Sequence, residues 1–208
     1  MILARRTALL TLPMLAGCSL LPDRPYIETL RYPLQPTRTA PVVVGRPLRR
    51  TLLVRLVRSA PGMEVRGLRT IRADGTEHLD PYAEWAAPPA ELIDEVMRRW
   101  MASAGLFAGV VAPGTRARAD LVLECEVTAL EADLRSGKAR AALSAVLLAE
   151  ADTGGDGRVL RQWAVAGEAP LPASTSRDGP APGAVAAACT EALAAAMTAL
   201  ENVLSSFA

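Results

Sequence analysis

The sequence predicts an α+β fold: a mostly antiparallel sheet with two helices packed on one face, preceded by a lipidated, Pro-rich tether. Two observations carry the folded part. Residues 120–133, 139–151 and 158–167 alternate apolar and polar side chains with a period of two. Residues 88–105 and 184–205 instead repeat their apolar residues at helical spacing. A chain of 208 residues suits one domain plus a tail.

The amino-terminal segment is an address and stands apart from the fold. Arg5 and Arg6 form a positive start, and Thr7 to Ala16 form a short apolar run. That run is shorter than the roughly 20 residues a membrane span needs, and Pro13 interrupts it. Leu15-Ala16-Gly17-Cys18 resembles the bacterial lipobox. The resemblance implies cleavage between Gly17 and Cys18, a diacylglycerol on the Cys18 thiol and an acyl chain on the new amino terminus. Each buried CH₂ of such chains contributes about 0.8 kcal/mol, so three chains anchor firmly. Ser19 stands where enterobacterial lipoproteins carry their sorting residue. By that likeness the protein belongs on the periplasmic face of the outer membrane. The expected organisation is a signal peptide over 1–17, a lipidated Pro-rich tether over 18–47 and one α+β domain over 48–208.

Within the tether, Tyr26 to Tyr32 are candidates to pair at a sheet edge. Residues 50–58 read as a strand, with Leu52, Val54 and Leu56 on one face. Residues 65–72 and 76–82 read as a hairpin closed by Asp74-Gly75. Pro88-Pro89 opens a helix that Gly105 ends. Leu106, Phe107, Val110 and Val111 are placed back on the core. Three strands then form an antiparallel meander, with the Asp152–Gly157 stretch as the second turn. In the last helix Leu193, Met197, Leu200 and Leu204 form one apolar stripe.

Composition excludes several functions. Lys and Arg number 23 against 22 Asp and Glu, a balance that argues against a dedicated nucleic-acid binder. His78 is the only histidine, which removes multi-histidine metal sites and most histidine catalysis. Once Cys18 is acylated, Cys125 and Cys189 remain. In an oxidising compartment they either pair as a disulfide or serve as two small buried hydrophobes.

No constellation announces an enzyme, and no catalytic, cofactor or metal residue is assigned. His78 beside Asp80 reads as a general base or as an ordinary strand histidine. Glu124, Glu126, Glu131 and Asp133 read as a cation site or as a solvated face. Arg46, Arg49, Arg50, Arg55, Arg58, Arg66, Arg69 and Arg72 form a basic stretch opposed only by Glu64. It suits anionic headgroups or an acidic partner, or is again a solvated face. Tyr82 and Trp85 are partner-binding candidates in a chain with 4% aromatics, with capping of the core as the alternative.

A lipobox, a Pro-rich tether, Tyr82-Ala83-Glu84-Trp85-Ala86, Pro88-Pro89, Ser103-Ala104-Gly105-Leu106-Phe107-Ala108-Gly109-Val110 and Ala119-Asp120-Leu121 come in order. In this the chain resembles the ABC-type transport auxiliary lipoprotein family, of the paraquat-inducible-operon type. Pro81 stands where members of that family often carry another aromatic. The resemblance implies a non-enzymatic accessory of an ABC transporter whose substrate-binding subunit carries a mammalian-cell-entry (MCE) domain. Such systems move phospholipid or other hydrophobic molecules between the two membranes. The implied partners are the MCE-domain subunit, the membrane, phospholipid and further copies of the chain. The alternative is a periplasmic lipid carrier with its own apolar pocket.

Overall fold

Strands and helices follow the expected order in a computed structural model that describes residues 26–42, 50–150, 157–176 and 179–208. The expected signal peptide, Gly17, Cys18, the first tether prolines, Arg46, Arg49 and most of the Asp152–Gly157 turn lie outside those residues. The strands are β1 (Leu30–Tyr32), β2 (Thr51–Ser59), β3 (Gly67–Ile71), β4 (Glu77–Trp85), β5 (Gly109–Val111), β6 (Leu121–Asp133), β7 (Lys138–Ala149) and β8 (Arg158–Pro170). The helices are α1 (Pro89–Ala104) and α2 (Pro182–Leu204), the latter followed by a 3₁₀ turn.

β6 is the axis of the sheet. One of its edges pairs with β7, and β7 pairs with β8. Its other edge is shared, with β2 alongside Leu121–Val127 and β3 alongside Ala132–Asp133. β5 extends the sheet beyond β2, and β4 then β1 extend it beyond β3.

The β6–β7–β8 meander is antiparallel, as its alternation predicts. The sheet as a whole is mixed, which corrects the expectation of a mostly antiparallel one. The pairings β1–β4, β2–β5, β2–β6 and β3–β6 all run parallel. Alternation reports which side of a strand is buried and says nothing of chain direction. Between β2 and β6 the chain passes through the β3–β4 hairpin and α1, and such a crossover brings it back parallel.

A bulge corrects the inward face of β2. The register against β6 shifts between Val54 and Leu56. One extra residue reverses the sides beyond it, so Val57 is buried and Leu56 is 44% exposed. A similar shift after Val127 lets Leu130 and Ala132 continue the inward face of β6.

α1 starts at Pro89 and stops at Gly105, whose φ of 67° lies in the left-handed region that glycine enters without cost. It buries Ile93, Val96, Met97, Trp100 and Met101. α2 buries the predicted stripe of Leu193, Met197, Leu200 and Leu204. By length and composition α2 could cross a membrane. Here its apolar side packs on β7 and β8 and shares one core with α1. The approach to β8 is close at Gly167, where a Cβ would overlap the Ala192 carbonyl oxygen and the Ala196 amide.

The hairpin turns at Asp74-Gly75, where Asp74 Oδ1 accepts from the Thr76 amide and hydroxyl. β4 then runs on through Pro81 to Trp85. Its register against β3 jumps between Leu79 and Glu84, so Pro81 lies where no β3 residue needs its missing N–H. Part of the expected tether also joins the fold. β1 pairs with Ala83–Trp85 of β4, and Leu34 is buried in the core.

Cys125 and Cys189 are both buried and both free, so the disulfide alternative gives way to two small hydrophobes. Burial pushes each thiol up to about 12.

Candidate functional site

Two polar groupings stand out, one on the sheet and one between the helices and the amino-terminal segment. The first lies in the β3–β4 hairpin. Thr70 and His78 are cross-strand neighbours. Asp80 follows His78 by two residues, and alternation keeps it on the same side. That side faces α2, because Leu68, two residues before Thr70, belongs to the core. Pro180, Ala181, Pro182 and Val185 line the opposite wall, with Ser174 and Ser176 beside them. The walls enclose a cleft of about 400 Å³.

Asp80 Oδ1 accepts the backbone N–H of Tyr82 at 2.8 Å, which fixes the carboxylate. Thr70 is only 7% exposed, and among the described residues no sealed side-chain polar atom lacks a partner, so its hydroxyl is not an unsatisfied buried group. The Ser174 hydroxyl donates to the Gly179 carbonyl at 2.7 Å. The Ser174 hydroxyl is thus spent on Gly179 and is not paired with His78 as a nucleophile with its base. What it offers is a carboxylate, an imidazole and a hydroxyl above an apolar floor.

The second grouping is closed. Glu201 lies in the last turn of α2. Arg38 Nε donates to its Oε2 at 2.9 Å and Arg38 Nη2 to its Oε1 at 2.7 Å, a two-pronged pair. Trp100 Nε1 of α1 donates to Oε2 at 2.8 Å. Arg38 also donates to the carbonyls of Ala40 and Pro41, at 2.6 and 2.9 Å. Both charged side chains are 9% exposed. The hydrogen bonds from Arg38 hold the Glu201 carboxyl below the usual carboxylate range.

Trp85 is 2% exposed and packs in the core, so the core alternative holds for it and it is unavailable to a partner. Tyr82 is 46% exposed, on the other side of the same strand. The two aromatics read together in the sequence therefore divide between core and surface.

A family profile described as "ABC-type transport auxiliary lipoprotein component" matches residues 32–202. The chain belongs to that family. Its members are membrane-anchored proteins of the cell envelope that accompany an ABC transport system. The fold is also that of solved structures. A Xanthomonas campestris protein of the DUF330 family is 23% identical, with a TM-score of 0.67 over 85% of this chain and 97% of that one. A second crystal structure, titled only as an uncharacterized protein, is 14% identical with a TM-score of 0.59, over 85% and 99%. No curated protein matches the chain.

In this auxiliary lipoprotein the other sequence candidates take structural places. Glu124 pairs with Arg55, and Asp133 with Arg135. Burial raises the Glu131 carboxyl above its usual range. Among the described residues no group of three or more His, Cys, Asp or Glu is placed to hold a metal ion. The basic stretch is dispersed. Arg50 donates to the Phe207 carbonyl, Arg55 also reaches Glu150, Arg66 meets Glu84 and Arg69 meets Glu77.

Sequence reasoning noticed His78 and Asp80 but missed Thr70, Ser174, Arg38, Trp100 and Glu201. A usable signal existed for Thr70, a hydroxyl at an inward position two residues after Leu68. None existed for Arg38 and Glu201, which stand 163 residues apart.

Proposed function

We propose that this lipoprotein is a non-enzymatic accessory of an MCE-type ABC transport system that moves phospholipid or other hydrophobic molecules between the inner and outer membranes. Acylated Cys18 holds it at the periplasmic face of the outer membrane. The folded domain docks on the MCE-domain subunit and completes the route. The observation that carries this reading is the family match over residues 32–202. Tyr82 supports it as a contact residue, since it is an exposed aromatic on a strand whose local shape is fixed by Asp80.

The test is affinity purification of the lipidated protein from detergent-solubilised envelopes, followed by mass spectrometry of what it retains. The expected result is co-purification of an MCE subunit, reduced by Tyr82→Ala in a variant that keeps its thermal unfolding transition. Recovery of no transporter subunit, from envelopes where the transporter is shown intact, would overturn the docking role.

A further inference from the structure

The sheet has three ends, at β1, β5 and β8. The first two are three residues long, whereas β8 runs for 13. One edge of β8 is taken by β7, and no described residue pairs with the other. At the end of the β7–β8 ladder the Leu171 N–H donates to the Gly137 carbonyl at 2.9 Å. Antiparallel strands bond through every second residue, so Ala169, Gly167, Val165 and Trp163 also turn their backbone groups toward β7. Gln162, Ala164, Ala166 and Glu168 therefore turn theirs to the open edge. Proteins usually blunt such an edge with charges, Pro or a bulge. β8 carries its bulge next to Leu160 and its Pro at position 170, both at the ends. Residues 162–167 between them contain no charge and no Pro. Where α2 comes closest, at Gly167, one side chain it holds over the strand is Ala195, small and exposed, which leaves the edge open to a second strand.

We propose that β8 pairs with β8 of a second copy of this chain, antiparallel about a two-fold axis at Val165. Strand chemistry selects both the occupant and the register. A two-fold axis perpendicular to a sheet keeps every side chain on its own face, so it must lie level with a residue. With the axis at Val165 all four open-edge residues meet open-edge residues. Gln162 opposes Glu168 of the second copy, and Ala164 opposes its Ala166. Each opposed pair exchanges two backbone hydrogen bonds. Moving the axis to Ala164 carries Glu168 against the bulge at Leu160. Moving it to Ala166 carries Gln162 against Pro170, which has no N–H to give. At Val165 the side chains agree as well. The Gln162 amide comes beside the Glu168 carboxylate, and alanines fill the centre of the seam without crowding. All four of these side chains are exposed in the single copy. The pairing rests on the fold alone and is independent of the transport function proposed above.

A seam of one strand is smaller than a standard interface, so the expected dimer is weak, half-formed at about 10–100 μM. The experiment uses the full acylated chain in detergent micelles, followed by sedimentation over a concentration series. A nitroxide at Gln162→Cys then reads the register, because Cys125 and Cys189 are buried and stay unlabelled. Two labels six residues apart along the seam stand about 20 Å from each other. Excess unlabelled chain should dilute that signal. Ala166→Pro removes an open-edge N–H from each copy and should weaken dimerisation about tenfold or more. Should Ala166→Pro fail to fold, Ala164→Lys with Ala166→Lys sets like charges directly across the seam and should also return the chain to a monomer. A monomer up to about 1 mM, a dimer indifferent to a folded variant of either kind, or a label distance far from about 20 Å overturns the proposal. Slowed hydrogen exchange at residues 162–168 that appears only on adding a transporter subunit gives the edge to that partner and overturns self-pairing.

Discussion

The Glu201 network joins the two helices to the amino-terminal segment, the Thr70–His78–Asp80 cleft lies on the sheet beneath α2, and the two are opposites. Around Glu201 each carboxylate oxygen accepts from Arg38, one of them also from Trp100, and Arg38 spends two further donors on backbone carbonyls. The group joins the amino-terminal segment, α1 and α2. In the cleft, by contrast, the polar side chains of Thr70, His78 and Asp80 border open volume. A buried polar group with all its bonds made is explained by the fold.

The contrast breaks most sharply at Glu201. Glu201→Ala strands the Arg38 guanidinium without its counter-ion, and the expected loss is about 3–5 kcal/mol by chemical denaturation. Arg55→Ala, at an exposed pair with Glu124, should cost about 1 kcal/mol or less. Equal losses would mean that closure of the network contributes nothing. Next in size is Gly167→Ala, which pushes α2 away from β8 and should cost about 1–3 kcal/mol or more, read as a lowered midpoint with a similar slope.

Acid sharpens the same comparison. The Glu201 carboxyl is held low in the folded protein, so its contribution is complete above the unfolded value of about 4.3 and is lost as pH falls through the folded value. The stability gap between wild type and Glu201→Gln should therefore narrow below about pH 4.3. A gap that stays constant to pH 2 would deny that Arg38 stabilises the ionised form. The smallest effect is expected at the cleft. Thr70→Val should change stability by no more than about 1 kcal/mol, because the residue borders the open cleft and valine keeps its shape. A marked loss would show that the hydroxyl holds a bond on which the fold depends.

Legibility in the sequence followed the range of the forces involved. The meander, α1 and α2 are set by neighbours within one strand or one turn, and alternation and helical spacing placed them within a few residues. The bulge after Val54 escaped, because nothing in Leu53-Val54-Arg55-Leu56 marks where β6 will slip against it. Parallel pairing escaped because it depends on the route of the chain between strands. β4 was read to residue 82 and runs on to Trp85, because its last residues pair with β1, a contact that nothing local in the sequence marks. The cleft was half legible. His78 and Asp80 stood out as rare or charged residues, while Thr70 gained meaning only once α2 was seen to begin above it.

The joint between the amino-terminal segment and the body of the protein also defines how the molecule bears load. Tension arriving along the chain before Tyr26 meets β1 first, whose three register pairs with β4 run along the line of pull and share the strain. Should those slip, the Arg38 fork on Glu201 passes the force into the final turn of α2, the longest helix, rather than into the hairpin. Handle and spine are thus coupled by a latch, and the hairpin strand β4 takes the first share of the load.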